Sequence, residues 1–165
     1  MSVEDISNGL DKLETGLEIA CENTLRDFNM GSIIRTANAF GVRKVHIVGR
    51  RQWNKRGAMA TDKYLHVVYY ESMSSFKSAM SERNIQVFAV ENNCNSDSLF
   101  ETKLPENVCL LFGQEGPGLS EEAINIADKV VHIDQFGSTR SMNVGHAAAI
   151  AMYEWTRQRR GTIDV

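Results

Sequence analysis

Residues 108–122, VCLLFGQEGPGLSEE, decide the fold of this chain. The apolar run from Val108 to Phe112 predicts a strand that is covered on both faces. The loop that follows contains three glycines and a proline, and Ser120 is a good N-cap for a helix beginning at Glu121. An ordinary turn needs one glycine, whereas several let backbone approach a ligand closely. Because ligands bind at the carboxyl edge of open α/β sheets, the stretch predicts a strand, a binding loop and a helix.

The rest of the chain repeats this alternation of strands and helices. Apolar runs predict strands at 17–21, 44–48, 65–70, 86–90, 108–112 and 129–133. Apolar residues at helical spacing predict helices at 30–40, 74–82, 121–127 and 142–158. Alternation of this kind predicts an α/β fold with a mostly parallel sheet and helices on both faces. The segment before residue 17 is expected to be a short amphipathic lead-in.

Residues 29–42, NMGSIIRTANAFGV, predict a helix that carries one strongly cationic side chain. Asn29 is a good N-cap, and Gly41 is a good C-terminal stop. Arg35 lies off the apolar face of this helix, where it is either a solvated surface residue or part of a site. The apolar face repeats at helical spacing and consists of Met30, Ile33, Ile34, Ala37 and Phe40.

Residues 133–146, IDQFGSTRSMNVGH, form a polar loop that leads into a long helix. Ser141 or Asn143 can cap that helix, and the alternative to a site here is a plain capped helix. Its many small residues would let another backbone approach closely. Met152 and Trp155 on its apolar face would need a cover, so we expect a second copy to pack there in a homodimer.

Together these segments resemble the three sequence motifs of the SPOUT methyltransferases, specifically the SpoU/TrmH branch of RNA ribose 2′-O-methyltransferases. The first motif, Asn-x-Gly-x-x-x-Arg-x-Ala, is matched by Asn29, Gly31, Arg35 and Ala37. The second, Gly-x-Glu-x-x-Gly-Leu, is matched by Gly113, Glu115, Gly118 and Leu119. The third, Ser-[Leu/Met]-Asn-[Val/Leu], precedes an alanine-rich helix that ends in Tyr-Glu. It is matched by Ser141, Met142, Asn143 and Val144, and the end of the helix by Tyr153 and Glu154. The motifs occur in this order within residues 17–159, which makes the resemblance specific.

The resemblance implies a fold and a reaction. The fold is a single domain over residues 1–165, without a separate RNA-binding domain. Its C-terminal third forms a deep trefoil knot through which two subunits pack. The reaction transfers a methyl group from S-adenosylmethionine to a ribose 2′-hydroxyl of tRNA or rRNA. The implied cofactor-binding residues lie in three loops and are Val90, Gly113, Glu115, Gly118, Ile133, Gln135, Ser141 and Met142.

The catalytic residues implied by the resemblance centre on Arg35. A guanidinium scarcely deprotonates, so we expect Arg35 to grip the phosphate beside the reacting ribose and to stabilise the forming alkoxide. The proton would leave to water, phosphate or a carboxylate. Glu115 is the nearest carboxylate candidate, and its alternative role is to brace the glycine loop by accepting backbone hydrogen bonds. Asn29, Ser141 and Asn143 complete the set by orienting Arg35 and the substrate.

Two positions depart from the family pattern. The third motif usually opens Ile-Pro-Met, where this chain has Ile133, Asp134 and Gln135. The backbone of this loop holds the cofactor in the family, so the contacts can survive the change. His146 stands where another residue is usual. It is either packed against its surroundings or part of the site, because an imidazole titrates near neutral pH.

Positive charge is concentrated in residues 43–63, although the formal net charge of the chain is −3. Asp62 is the only acidic residue in that stretch, and Trp53 and Tyr64 lie among its basic residues. Basic side chains release counterions from phosphates, and exposed rings stack on unpaired bases. We therefore favour an RNA-facing loop over a merely solvated one. The RNA-binding residues are expected to be Arg35, Arg50, Arg51, Lys55 and Arg56.

Length and composition suit one intracellular domain. The chain has 165 residues, of which 42% are hydrophobic. Cys21, Cys94 and Cys109 are odd in number and far apart, which predicts buried thiols in a reducing compartment rather than disulfides or a metal site. We therefore expect a cytoplasmic protein. No apolar run approaches the length of a membrane span, and the N-terminus lacks a signal pattern.

Other cofactor classes lack their fingerprints in this chain. No Gly-x-Gly-x-x-Gly opens a first helix, no Gly-Lys-Ser/Thr forms a phosphate loop, and Asp and His are not spaced as metal ligands. The main alternative function is a non-catalytic RNA-binding protein that retains the fold. A SPOUT enzyme that methylates a base nitrogen agrees less well with the arginine of the first motif.

Overall fold

The structure is a computed structural model that describes residues 2–24, 29–93, 95–139 and 141–160. The helices are α1 Val3–Asp11, α2 Asn29–Ala39, α3 Met73–Glu82, α4 Glu121–Ile126 and α5 Val144–Gln158. The strands are β1 Leu17–Asn23, β2 Lys44–Gly49, β3 His66–Tyr70, β4 Gln86–Val90, β5 Asp97–Ser98, β6 Val108–Phe112 and β7 Lys129–His132. Two 3-10 helices, Lys55–Ala58 and Thr61–Tyr64, lie between β2 and β3.

The described strands form one sheet in the order β3-β2-β1-β6-β4-β7-β5, and the paired strands are parallel. The predicted α/β class with a mostly parallel sheet is therefore confirmed. β6, β4 and β7 are neighbours, so the loops that follow them meet at one edge of the sheet. The two-residue strand β5 was not predicted, because so short a segment carries no readable alternation.

Helices cover both faces of the sheet, as predicted. The apolar residues of α2 and α5 pack on one face against alternate strand residues such as Ile19 and Leu110. Those of α3 and α4 pack on the other face against residues such as Ala20 and Leu111. The apolar stripe predicted for α2 is confirmed, because its residues are buried or pack against the core. Gly41 ends the helix with a left-handed φ of +73°, which glycine adopts without strain.

The last helix lies in the core of the monomer, which corrects one expectation. Met152 is 0% exposed and Trp155 is 1% exposed, so neither needs a second copy to cover it. The Nε1–H of Trp155 donates to the carbonyl oxygen of Pro105 over 2.9 Å. Truncating a buried tryptophan typically costs about 3–5 kcal/mol, so this side chain stabilises the packing of α5 on the sheet.

The lead-in segment is an exposed helix with a well-formed cap. Ser2 and Asp5 form a reciprocal capping box at the start of α1. No residue of α1 is buried, and the helix is held by an ion pair of 2.8 Å between Asp11 and the buried Arg43. Arg43 therefore has a structural role at the amino end of β2 rather than a role in an RNA-facing loop.

Glu18 is a buried charge near the amino end of β1. Its carboxylate lies 2.6 Å from Nε2 of His46 and accepts a hydrogen bond of 3.0 Å from Arg83. Burial disfavours the ionised carboxylate, but the hydrogen bonds from His46 and Arg83 outweigh it and lower the pKa of Glu18 to about 2. The rings of Tyr70 and Phe76 pack around His46. This network lies at the edge of the sheet opposite the glycine loop.

Candidate active site

A cavity of about 280 Å³ lies where the loops after β4, β6 and β7 meet. It is lined by residues 90–92 at the end of β4, by residues 113–116 and 118 of the glycine loop, and by residues 132, 133, 135, 141–144 and 147. The structure thus brings together every residue predicted to bind the cofactor, namely Val90, Gly113, Glu115, Gly118, Ile133, Gln135, Ser141 and Met142.

The glycines of the loop after β6 are required by the protein's own backbone. The Gln114 N–H donates to Gly118 O over 3.3 Å, and the Gly118 N–H donates back to Gln114 O over 2.9 Å. A Cβ on Gly113 would overlap the carbonyl carbon of Gly118. Gly118 has a φ of +69°, and a Cβ there would lie 2.5 Å from Oε2 of Glu91. The predicted close approach is therefore first an approach of the loop to itself and to Glu91.

Two carboxylates that sequence reasoning missed brace this loop. Glu22 in β1 accepts hydrogen bonds from the backbone N–H and the hydroxyl of Ser120 over 2.8 and 2.5 Å. Glu91, just after β4, accepts the backbone N–H of Leu119 over 2.7 Å. The sequence signal was an acidic residue at the end of each apolar strand. The alternative role predicted for Glu115 was to accept backbone hydrogen bonds from the glycine loop. Among the hydrogen bonds that the structure describes, Glu22 and Glu91 take that role at Ser120 and Leu119.

Asn29, Glu115 and Asn143 form a closed hydrogen-bonded group. The Asn29 amide donates to Oε2 of Glu115 over 3.0 Å, and the Asn143 amide donates to Oε1 over 3.2 Å. The Asn143 amide also donates to Oδ1 of Asn29 over 2.9 Å. Three of the predicted catalytic residues, distant in sequence, therefore contact one another.

Asn143 also caps α5, which decides between the two predicted caps. Its Oδ1 accepts the backbone N–H of His146 over 3.1 Å, so α5 begins at Val144 rather than at residue 142. The prediction that Asn29 is an N-cap is wrong, because α2 already includes Asn29. The Oδ1 of Asn29 is instead engaged by Asn143.

The small residue Gly145 lets α5 approach α2 at this group. A Cβ built on Gly145 would lie 3.0 Å from Oδ1 of Asn143 and 3.6 Å from Oδ1 of Asn29. The side chain of Ser32 on α2 is next nearest, at 3.8 Å. The small residue therefore leaves room for side chains of α2, and the approach of another backbone to this helix stays a prediction.

Arg35 is exposed on α2, the helix that also carries Asn29. Gly31, one turn before Arg35, packs against Gly57 and Ala58, so the basic segment between β2 and β3 lies along the same helix. Among the residues that the structure describes, no ion pair to Arg35 is formed. Ser141 is exposed and lines the cavity. The structure thus places Arg35 on the same helix as Asn29, one member of the group.

The basic stretch divides into two parts. Lys44 pairs with Glu14 over 2.9 Å at the amino end of β2, the end that also holds Arg43. Residues 50–56 follow the carboxyl end of the same strand, on the side of the cavity, and there Arg50, Arg51 and Arg56 are exposed. Within the basic stretch, the exposed arginines on the side of the cavity are therefore those of the segment after β2, residues 50–56.

Contacts of Lys55 and Trp53 with neighbouring side chains modify the expectation that this segment faces RNA. Lys55 pairs with Asp62 over 3.1 Å and lies 5.5 Å from the centre of the Trp53 ring. The indole N–H of Trp53 donates to the hydroxyl of Tyr69 over 3.1 Å. The expectation of exposed stacking rings at Trp53 and Tyr64 is wrong, because both side chains are half-buried.

The two unusual positions have different surroundings. His146 is exposed and does not line the cavity. Asp134 does not line the cavity and accepts a hydrogen bond from the hydroxyl of Ser98. This hydrogen bond, together with the nearby His132, holds the pKa of the Asp134 carboxyl below its usual value. Gln135 lines the cavity. Among the described residues no group of three or more His, Cys, Asp or Glu could hold a metal ion.

The chain belongs to the SpoU rRNA Methylase family, whose model matches residues 16–153. It is 29% identical over 154 residues to the tRNA (guanosine(18)-2′-O)-methyltransferase of Escherichia coli K12, covering 92% of this chain and 67% of that one. The solved structure of the A. aeolicus TrmH/SpoU tRNA modifying enzyme matches with a TM-score of 0.84 and 25% identity, covering 97% of this chain and 83% of that chain.

A second solved structure contains a cofactor. It is the SpoU methyltransferase AviRb from Streptomyces viridochromogenes in complex with AdoMet, that is, S-adenosylmethionine. It matches with a TM-score of 0.80 and 26% identity, covering 92% of this chain and 65% of that chain. The family resemblance inferred from the three motifs is therefore confirmed.

Proposed function

We propose that this protein is an S-adenosylmethionine-dependent methyltransferase that methylates a ribose 2′-hydroxyl in tRNA or rRNA. The observation that carries the proposal is the meeting of three loops around one cavity, with Asn29, Glu115 and Asn143 hydrogen-bonded to one another beside it. Membership of the SpoU rRNA Methylase family supports the same reaction.

The cavity suits the cofactor in size and charge. About 280 Å³ is close to the lower end of small-ligand pockets, about 300 Å³. The described lining includes the carboxylates of Glu91 and Glu115 but neither lysine nor arginine, which favours a ligand of net positive charge. S-adenosylmethionine, when bound, supplies an electrophilic methyl group on a sulfonium. Backbone of the 113–118 loop, of residues 133–139, 141 and 142, and of Val90 would hold it.

The hydrogen-bonded group orients the reacting ribose. Each carboxylate oxygen of Glu115 accepts an amide hydrogen bond, from Asn29 or from Asn143, so the carboxylate has a fixed direction. Ser141 offers a hydroxyl at the cavity wall. Arg35, exposed on α2, grips the neighbouring phosphate with its planar fork and stabilises the forming alkoxide. The ribose proton leaves to water, to phosphate or to Glu115.

The segment after β2 binds the RNA backbone. Arg50, Arg51 and Arg56 are exposed there, and the segment packs on α2 through Gly57 and Ala58. A bound phosphate chain would therefore run past the helix that carries Arg35. Basic side chains bind phosphates by releasing counterions, largely without regard to sequence. The choice between tRNA and rRNA must then depend on the shape of the RNA.

Two copies of the chain form a homodimer through an apolar groove rather than through the expected surface at Met152 and Trp155. Phe100, Phe136, Ile150 and Tyr153 are exposed to 80%, 97%, 42% and 60%. The first three line a groove of about 610 Å³ whose wall includes Ile133, a residue that also lines the cofactor cavity. Light scattering at micromolar concentration should give a dimer. Phe136→Glu should give a folded monomer, because that ring is almost fully exposed in a single copy.

The finer features of the fold and location are part of the same proposal. Residues 1–165 act as one methyltransferase domain, and the chain after β7 threads through a loop to form the family's trefoil knot. Cyclising the folded protein and cyclising the unfolded chain should then give rings of different mobility on a denaturing gel. The buried free thiol of Cys109 supports a reducing compartment such as the cytoplasm. Cys21 is buried as well. Cys94 lies outside the described residues. No described helix is long and apolar enough to cross a membrane.

The function is tested with labelled cofactor and RNA. Purified protein is incubated with methyl-labelled S-adenosylmethionine and total RNA that lacks the modification, and nucleosides are analysed by mass spectrometry. A labelled 2′-O-methylnucleoside, absent with Arg35→Ala, is the expected result. RNA binding without any methyl transfer would instead identify a non-catalytic RNA-binding protein, and a methylated base would identify a base-modifying enzyme.

A further inference from the structure

Glu91 is a carboxylate of the cofactor cavity that belongs to none of the three motifs. It follows directly after β4 and lines the cavity. Its backbone N–H donates to the carbonyl oxygen of Val131 in β7 over 2.9 Å. The residue is therefore fixed at the edge of the sheet between two neighbouring strands.

One carboxylate oxygen of Glu91 is held by the protein. Oε2 accepts the backbone N–H of Leu119 over 2.7 Å. The absence of a side chain at Gly118 makes room for the carboxylate, since a Cβ there would lie 2.5 Å from Oε2 and 3.1 Å from Oε1. Oε1 accepts no hydrogen bond from the residues that the structure describes. The side chain is thus oriented through one oxygen, and the other is available at a ligand cavity.

The other carboxylates near the loop are engaged through both oxygens. Both oxygens of Glu22 accept hydrogen bonds from Ser120, and Glu22 does not line the cavity. Both oxygens of Glu115 accept amide hydrogen bonds. Among the described carboxylates that line the cavity, Glu91 is therefore the one with an oxygen that accepts no hydrogen bond from the described residues.

We propose that Glu91 recognises the ribose hydroxyls of the bound S-adenosylmethionine, an inference that rests on the proposed function for the identity of the cofactor. An ionised carboxylate only accepts hydrogen bonds, and hydroxyls donate them. An acidic residue at the carboxyl side of a parallel strand is an established way of holding a nucleoside ribose in α/β sheets. Because Leu119 fixes the carboxylate, a ligand without the hydroxyl leaves an acceptor unpaired and is discriminated against.

The test compares ligands and variants by calorimetry. S-adenosylhomocysteine and its 2′-deoxy and 3′-deoxy forms are titrated into the wild-type protein and into Glu91→Gln. The glutamine keeps an oxygen that can accept the Leu119 N–H. Wild type should bind at least one deoxy form about 10- to 100-fold more weakly, as expected for a hydrogen bond to a charged group. Glu91→Gln should bind all three within about threefold of one another.

Glu22→Gln is the matched control, because it changes the same chemical group on the same loop outside the cavity. It should weaken the three ligands equally and keep the wild-type discrimination. Unchanged discrimination in Glu91→Gln would overturn the inference. So would a changed ratio of S-adenosylmethionine to S-adenosylhomocysteine affinity with unchanged ribose discrimination, since Glu91 would then recognise the cationic sulfonium.

Two further results separate this inference from the proposed function. If wild type binds neither S-adenosylmethionine nor S-adenosylhomocysteine, the proposed function fails together with the inference. If it binds both but discriminates against neither deoxy form, only the inference fails. A crystal structure of the wild type with S-adenosylhomocysteine does not depend on the folding of a variant. It should show a ribose hydroxyl hydrogen-bonded to Glu91, and a ribose turned away from it would overturn the inference.

Discussion

Asn143 donates a hydrogen bond of 2.9 Å to Asn29, a residue 114 positions earlier in the chain. The bond joins the start of α5 to the start of α2, beside Glu115 on the glycine loop. The same Asn143 side chain caps α5 through its oxygen. One carboxamide therefore fixes a helix end, joins two helices and orients a carboxylate.

Replacing Asn143 should separate its capping role from its bridging role. Asn143→Ala loses both, and the free energy of unfolding should fall by about 1 kcal/mol or more for the cap alone. Asn143→Ser keeps a capping oxygen but loses the amide donor, so it should retain most stability and still lose methyl transfer. Urea unfolding and single-turnover kinetics measure the two effects. Equal turnover in Asn143→Ser and wild type would remove the amide from the mechanism.

The arrangement of strands and of most helices could be predicted from the sequence, because those signals are local. The apolar runs that form β4 and β6 were predicted with their observed bounds. The cofactor loops were assigned by resemblance to family motifs, and they do line one cavity.

Features that depend on distant partners could not be predicted. Glu22 and Glu91 carry no motif, and their role depends on where Leu119 and Ser120 fall after folding. Arg43 looks like any residue of a basic stretch until α1 brings Asp11 against it. Burial of Met152 and Trp155 also depends on how α5 packs against the sheet, which periodicity does not specify.

Arg35 should tolerate substitution in the fold but not in the reaction. Its side chain is exposed, so Arg35→Lys and Arg35→Ala should unfold at the wild-type temperature and bind S-adenosylmethionine normally. Lysine keeps the charge but loses the planar fork, so single-turnover rate should fall by roughly 10²-fold or more, the cost of misplacement. Near-normal turnover in Arg35→Lys would show that charge alone suffices.

The basic segment should affect RNA affinity rather than the chemical step. Replacing Arg50, Arg51 and Arg56 with alanine should weaken RNA binding. The slope of the logarithm of the binding constant against the logarithm of the salt concentration should become shallower by about 0.7–0.9 for each phosphate that is no longer neutralised. Single-turnover rate at saturating RNA should change much less. Lys55→Ala is an internal comparison, and its smaller expected effect follows from the existing ion pair with Asp62. Affinity and salt slope equal to wild type in the triple variant would place the RNA elsewhere.

The hydrogen bonds of Glu18 should make the free energy of unfolding depend on pH in the acidic range. The pKa of Glu18 is lowered from 4.5 to about 2 in the folded protein, so its ionised form stabilises the fold above pH 4.5, and that stabilisation is lost as pH falls toward 2. Glu18→Gln should lower the free energy of unfolding at neutral pH by about 3 kcal/mol, because it removes the buried charge to which His46 and Arg83 are hydrogen-bonded. Between pH 5 and pH 2.5 the difference in unfolding free energy between wild type and Glu18→Gln should shrink. Urea titrations of both proteins across that range measure it, and a difference that stays constant with pH would show that Glu18 contributes through packing rather than through its charge.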